Sequence, residues 1–438
     1  MTALRPETTP LPPLAGTSMS ADASVAAGVS APGGAAATAA TPVSAVASSG
    51  TSARPESVLR SRRPVRSAGP VVTELRLSAF ASHRGATFPV GPVTLFAGPG
   101  GSGKSSALRA YEALARLGSG DVLDEVFPDP GGCVPEGAAA DAQGRRGFRI
   151  GCTTDGPAGP VRLDVAVQAE PTLRIVGERL TGGGETLLTT ALRDPGRSTV
   201  QAAWHTAGAV PVTRAPLPDD RLGTSLLPLR VAGRTEGQLR VLAAAEQTVV
   251  ALRSVFACDP QPSRMRAPVP AGDGRLRRDC GNLAAVLGRT HTQHAPRLAR
   301  LVAAAHAGCA GPVTGLGVER LADGLLCAVV GRGGGRVTPL GRLGDGELRY
   351  LALALVLLTG PGALAVDAAG EVPSAMQTLT VLADGFDRDL DGRQSRELLD
   401  LAVSTGAAGH LGLVGTVTES GALWARETPG VTVVDLES

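Results

Sequence analysis

The 438-residue chain predicts an α/β fold built on a parallel sheet, and three stretches of it carry that expectation. In the first, the apolar run Val93 to Ala97 enters the loop Gly-Pro-Gly-Gly-Ser-Gly-Lys-Ser-Ser and then helix-forming residues from Ala107 to Leu117. In the second, an apolar helix over Leu348 to Leu358 is followed, after Gly360 to Gly362, by a short apolar strand, Ala363 to Val366, that ends in Asp367. In the third, the hydrophobic period changes to two between Phe148 and Trp204, which inserts an antiparallel meander into the parallel pattern.

Taken in order, residues 1 to 68 are Ala, Ser, Thr, Pro and Gly with no hydrophobic periodicity, and they read as a disordered tail. The tail ends in a basic cluster, Arg60 to Arg66, read as a solvated arm. A single large domain is expected over 69–438. Val72, Leu75, Leu77 and Phe80 mark its first strand, and a turn at Gly91-Pro92 precedes the strand at Val93. Short strands at Phe148 to Thr153, Val161 to Val167, Leu173 to Leu180, Thr186 to Leu192 and Thr199 to Trp204 make 146–215 an inserted β-lobe. Apolar residues at helical spacing from Thr235 to Ala257 predict an amphipathic helix, which opens a helical lobe over 235–310 with further helices at Leu283 to Leu287 and Arg297 to Ala305. No heptad pattern persists long enough for a coiled coil. Beyond Asp367, helices are expected at Ser374 to Leu382 and Ser395 to Val403, with strands at Leu411 to Val417 and Val431 to Leu436.

The loop after Ala97 carries the chemistry. Gly98, Gly103, Lys104 and Ser105 fit the G-x-x-x-x-G-K-[ST] spacing in its required strand-to-helix context. Gly98, Gly100, Gly101, Ser102 and Gly103 let successive amides turn toward one anion. The helix N-terminus adds its partial charge, Lys104 reaches the phosphates, and Ser105, followed by Ser106, offers a hydroxyl to Mg²⁺. Of 42 lysines and arginines, Lys104 is the only lysine, so a chain that otherwise uses arginine keeps a compact ammonium here.

Bulk properties narrow the rest. A formal net charge of +2 argues against a whole-molecule attraction to nucleic acid or membrane, and aromatics at 3% leave little for base stacking. Six cysteines without a C-x-x-C pair read as reduced thiols. No secretory signal and no membrane span are expected, which points to a cytoplasmic protein.

Together these residues resemble the ABC-type ATPases, in the branch of prokaryotic AAA-type proteins similar to RecF and to SMC ATPase heads. The resemblance rests on the strand ending in Phe80, the loop Gly98 to Ser105, Asp279 to Leu283, the signature-like Leu343-Gly344-Asp345-Gly346-Glu347, and Val366-Asp367. It implies ATP and Mg²⁺ as cofactors, with Ser105 and Asp367 on the metal. It also implies a nucleotide-dependent homodimer in which Gly344, Asp345, Gly346 and Glu347 of one head close on the ATP of the other; it does not specify a macromolecular partner, for which DNA or a protein is the candidate. Lys104 is the expected catalytic cation. The family's glutamate after the strand acid is Ala368 here, and its switch histidine is absent after Leu411 to Val417. Glu371, four residues after Asp367, would substitute only if the backbone bulges, an interface or solvent role being its plainer reading, and turnover is expected to be slow, since a lost general base costs about 10² to 10⁴ in rate. A non-hydrolysing ATP switch is the alternative, and a small-molecule kinase a third reading.

Other candidates have plainer explanations. His291 and His294 are spaced to share a metal but read as a polar helix face, and Arg275, Arg277 and Arg278 read as a solvated loop. Gln143 falls where the family often senses Mg²⁺ with a glutamine. Asn282, the only asparagine, matches a Gly-Asn-Leu stretch seen in related ATPases and reads equally well as a helix N-cap.

Overall fold

The computed structural model describes residues 69–206, 212–272, 274–360, 363–366 and 377–437. The tail 1–68, and with it Asp367, Ala368 and Glu371 of the C-terminal third, lie outside the described residues. Strands β1 (Val71–Phe80) and β2 (His83–Pro89) form a hairpin, and β3 (Val93–Ala97) leads through the glycine loop into α1 (Lys104–Ser119). A meander follows: β4 (Arg146–Asp155), β5 (Val161–Glu170), β6 (Arg174–Gly182), β7 (Glu185–Ala191), β8 (Thr199–His205) and β9 (Val212–Pro218). Short helical turns aside, the chain continues with α2 (Glu236–Arg253), β10 (Val255–Cys258), α3 (Leu283–Gln293) and α4 (Ala295–Gly308). Strands β11 (Gly315–Arg320), β12 (Leu326–Gly333) and β13 (Arg336–Pro339) precede α5 (Asp345–Leu357) and β14 (Leu379–Ala383). The last elements are α6 (Gly392–Ala407), β15 (Leu411–Thr416), α7 (Glu419–Glu427) and β16 (Thr432–Asp435).

The centre is a five-stranded parallel sheet in the order β10-β14-β15-β3-β16. Every residue of β3, β14 and β15 is buried, because side chains alternate between two cores. Leu95, Val381 and Leu413 face one core, shared with Leu351 of α5 and Leu398 of α6. Phe96, Leu382 and Val414 face the other, shared with Tyr111 and Leu114 of α1 and with Leu75 and Ile150 of the antiparallel sheet. Strands buried on both faces lose their polar alternation. This is why Leu379–Ala383, expected within a helix at Ser374 to Leu382, is instead a central strand.

The second layer is an eight-stranded antiparallel sheet in the order β2-β1-β4-β5-β6-β7-β8-β9. The expected meander strands are present, and β1 and β2 belong to the same sheet, with Leu75 paired to Cys152 and Cys152 to Leu163. The edge strand β9 escaped the sequence reading because Pro216 and Pro218 interrupt it, residues that an edge tolerates and a central strand does not. Helix α2 packs between this sheet and α1, capped at its start by Thr235, whose hydroxyl accepts from the Gln238 amide at 3.2 Å. It stops at Arg253, short of the expected Ala257, because the chain turns there into β10.

Two local expectations change. Ala363 to Val366 is not a strand of the central sheet; Leu364 makes a single bridge with Leu276, whose amide donates to Ala363 O at 2.8 Å. Asn282 stands at the start of α3 but its side chain makes no cap. It is fully buried, accepting from the Arg277 amide at 2.9 Å and donating to Arg275 O at 2.7 Å, and so it staples the preceding turn. Among the described residues no helix is long and apolar enough to cross a membrane.

Candidate functional site

In an open parallel sheet, loops at the carboxyl ends of the strands converge. The register sets which residues meet here. Thr416 pairs with Phe96 across β15 and β3, and Ala383 pairs with Gly415 across β14 and β15. The first residue after β14, Asp384, therefore reaches the end of β15 and the loop that leaves β3.

That loop has the shape of an anion cradle. Gly98 and Gly103 adopt φ of 143° and 93°, and a Cβ at Gly98 would run into the carbonyl of Leu436. A Cβ at Gly103 would lie 2.7 Å from the His83 ring. Gly100 and Gly101 are exposed at the tip, while the Ser102 hydroxyl is buried without a hydrogen-bond partner among the described residues. Helix α1 starts at Lys104 with no side-chain cap and no acid in its first turn, so its amide donors and dipole face the loop unopposed. Lys104 Nζ spans the loop, donating to Gly98 O at 2.6 Å and Pro99 O at 2.8 Å. Ser106 lies beside Arg109, whose guanidinium donates to its hydroxyl at 3.3 Å.

Across from the loop, Ser105 Oγ donates to Asp384 Oδ1 at 3.0 Å, and Thr416 Oγ donates to the same oxygen at 2.7 Å. The Gly385 amide in turn donates to Thr416 Oγ at 2.7 Å, which fixes the direction of the Thr416 hydroxyl. Thr416 is buried, and Asp384 is partly exposed. The orphaned Ser102 hydroxyl and the uncapped N-terminus of α1 fit a polyphosphate. A serine hydroxyl beside one carboxylate fits Mg²⁺, which is held by few protein oxygens together with substrate phosphates.

Sequence reasoning missed Asp384 and Thr416. The signal was there, because Leu379 to Asp384 is an apolar run ending in an acid, just as Ala363 to Asp367 is. Val366, the described residue before Asp367, lines a surface cleft with Glu112, Ala115 and Arg116. Ala115 lies about 15 Å along α1 from Ser105, at 1.5 Å per residue.

The expected signature residues form the start of α5, each with a local partner or contact. Glu347 accepts from the amides of Gly344 at 3.2 Å and Ala310 at 2.8 Å, and Asp345 pairs with Arg266 at 2.8 Å. Gly346 presses on the carbonyl of Asp389, in the loop after β14, so closely that a Cβ would collide with it. One turn on, buried Arg349 donates to Pro260 O at 2.8 Å, Gly385 O at 3.2 Å and Arg388 O at 3.2 Å. Burial, and next the nearby Arg388 charge, lower its pKa. Helix α5 and the loop behind Asp384 are thereby one packed unit. Beyond β15, Thr418 donates its amide to Asp387 at 3.1 Å.

Gln143 lies in an exposed turn, its carbonyl accepting from Arg145 at 3.1 Å, remote from the cradle in its bonding. Arg278 pairs with Glu112 of α1. His291 lies in α3 and His294 at the junction with α4, and among the described residues no three His, Cys, Asp or Glu are grouped to hold a metal.

No protein-family model matches the sequence, and no curated protein does. Solved structures are similar in backbone. An SMC head bound to the C-winged helix domain of ScpA is 12% identical, with a TM-score of 0.44 over 79% of this chain and 90% of that one. The SMC head domain from Thermotoga maritima is 13% identical, with a TM-score of 0.39 over 81% and 91%. The Smc head domain with an extended coiled coil, bound to the C-terminal domain of ScpA and derived from Pyrococcus furiosus, is 9% identical, with a TM-score of 0.44 over 84% and 94%.

Proposed function

We propose that this chain binds ATP with Mg²⁺ at the loop Gly98 to Ser106 and acts as a slow ATPase of the ABC-like class. The observation that carries the reading is the meeting of Ser105 and Asp384 at the mouth of a lysine-bearing glycine cradle. In this reading Lys104 and the loop amides hold the phosphates, and Ser105 and Asp384 hold the metal in the role the sequence assigned to Asp367. The bound metal would neutralise phosphate charge. Thr416 keeps the Asp384 carboxylate aimed. Gly344 to Glu347 would close on the nucleotide of a second copy, with Arg349 tying that helix to the Asp384 loop.

The residue after Asp384 is Gly385, so neither apolar run is followed by a glutamate. That favours a second reading, an ATP-gated switch without hydrolysis. Cleavage of labelled ATP by the purified chain, with Lys104→Ala as the blank, separates the two. Turnover lost in Lys104→Ala supports the ATPase, and bound but uncleaved ATP supports the switch. Light scattering with and without MgATP tests closure, and an unchanged monomer mass at high protein concentration would count against it.

A further inference from the structure

Where the turn after β1 enters β2, Ser82 and His83 lie against Gly103 of the phosphate loop, and His83 bonds to it in a way the proposed function has not used. His83, 8% exposed, has Nε2 3.0 Å from Gly103 O. A carbonyl only accepts, so Nε2 carries the proton and donates. The same carbonyl accepts the Ala107 amide at 2.9 Å, the first bond of α1, so both of its lone pairs are engaged. The imidazole is held edge-on to Phe88, with ring centroids 5.5 Å apart and planes at 75°.

The turn that presents His83 is built at a cost. Ala79 and Ala81 have φ of 53° and 49°, the left-handed region that a residue with a Cβ disfavours. Ala81 is anchored there by donating its amide to Cys133 O at 2.7 Å. Strain in non-glycine residues persists where the surroundings over-determine it, and such places cluster at functional sites. Here its product is a ring lodged against Gly103, the left-handed residue at which the loop becomes a helix.

We propose that His83 is a positioning residue for the phosphate loop. By fixing the Gly103 carbonyl outward it holds the amides of the cradle, and the Lys104 backbone, inward for the anion. This rests on the reading of Gly98 to Ser106 as a phosphate site.

The test uses the full chain, His83→Leu, which keeps apolar contact with Phe88 but has no donor, and His83→Gln, whose amide can donate near the Nε2 position. Two quantities are read: hydrogen exchange of the amides of residues 98–106 without nucleotide, and the Kd of a fluorescent ATP analogue with Mg²⁺. The expected result is faster exchange confined to the loop and a Kd raised about tenfold in His83→Leu, with both returned to within about threefold of the parent in His83→Gln. Should His83→Leu fail to fold, His83→Asn, whose amide stops short of Gly103 O, replaces it in both arms. Parent-like exchange in the variant without the donor overturns the proposal, as does a His83→Gln variant no better than it. A parent protein that binds no nucleotide, yet loses loop protection in His83→Leu, would leave the positioning role standing and remove the nucleotide reading.

Discussion

Ser105 and Asp384, 279 positions apart in sequence, share a 3.0 Å hydrogen bond between the first turn of α1 and the end of β14. The pair joins the lysine-bearing loop to the acid that directly follows the central strand β14. If it holds a metal, Asp384→Asn should weaken MgATP binding by about tenfold or more while barely affecting binding without metal. One charge-assisted contact is worth roughly 1.5 to 3 kcal/mol. Asp367→Asn should leave both unchanged. Titration of the two variants with a fluorescent ATP analogue, with Mg²⁺ and with EDTA, distinguishes them.

Gly103→Ala should be more damaging than its size suggests. The added methyl would meet Ser82 Oγ at 2.5 Å and the His83 ring at 2.7 Å, and the alanine would have to keep φ of 93°. A destabilisation of about 1 to 3 kcal/mol is expected, with loss of nucleotide binding. Gly100→Ala, where a Cβ meets nothing within 4 Å, should unfold at the parent temperature. Thermal unfolding and nucleotide titration of the two variants check this.

Arg349→Lys should destabilise although it keeps the charge. Three carbonyls, of Pro260, Gly385 and Arg388, are held by one planar fork that an ammonium cannot reproduce. A loss of about 1 to 3 kcal/mol follows from a buried acceptor left unpaired, read as a lower midpoint in urea. Because Gly385 adjoins Asp384, metal-dependent nucleotide binding should fall as well.

Cysteine reactivity gives an independent check on burial. Burial pushes the thiols of Cys152 and Cys309 up to about 12. Iodoacetamide attacks the thiolate, so between pH 8 and 10 their labelling in the folded protein should stay slow and rise about tenfold per pH unit. Cys133 and Cys327, partly exposed, should label first. Peptide mass spectrometry of a labelling time course reads the order, and early labelling of Cys152 would contradict the packing of β4.

The loop was legible because its chemistry is local: a strand, fixed glycine spacing and a helix lie within Val93 to Leu117. Asp384, the acid that bonds Ser105, was not, because two apolar runs end in aspartate and only strand pairing shows that the run Leu379 to Ala383 lies in the central sheet. Leu364 pairs with Leu276, whereas Leu379 to Ala383 pair with β10 and β15. Burial on both faces had also erased the alternation that would have marked β14 as a strand. His83 was invisible for a related reason. Its partner is a backbone carbonyl 20 residues away, and no residue pattern encodes a main-chain acceptor.

The most direct test is equilibrium binding of labelled ATP with Mg²⁺ to the parent chain, Lys104→Ala and Asp384→Asn, measured side by side by dialysis. Saturable binding of one ATP per chain, abolished in Lys104→Ala and weakened in Asp384→Asn, is the predicted result. Binding that persists unchanged in Lys104→Ala, or a parent chain that binds none, would contradict the account.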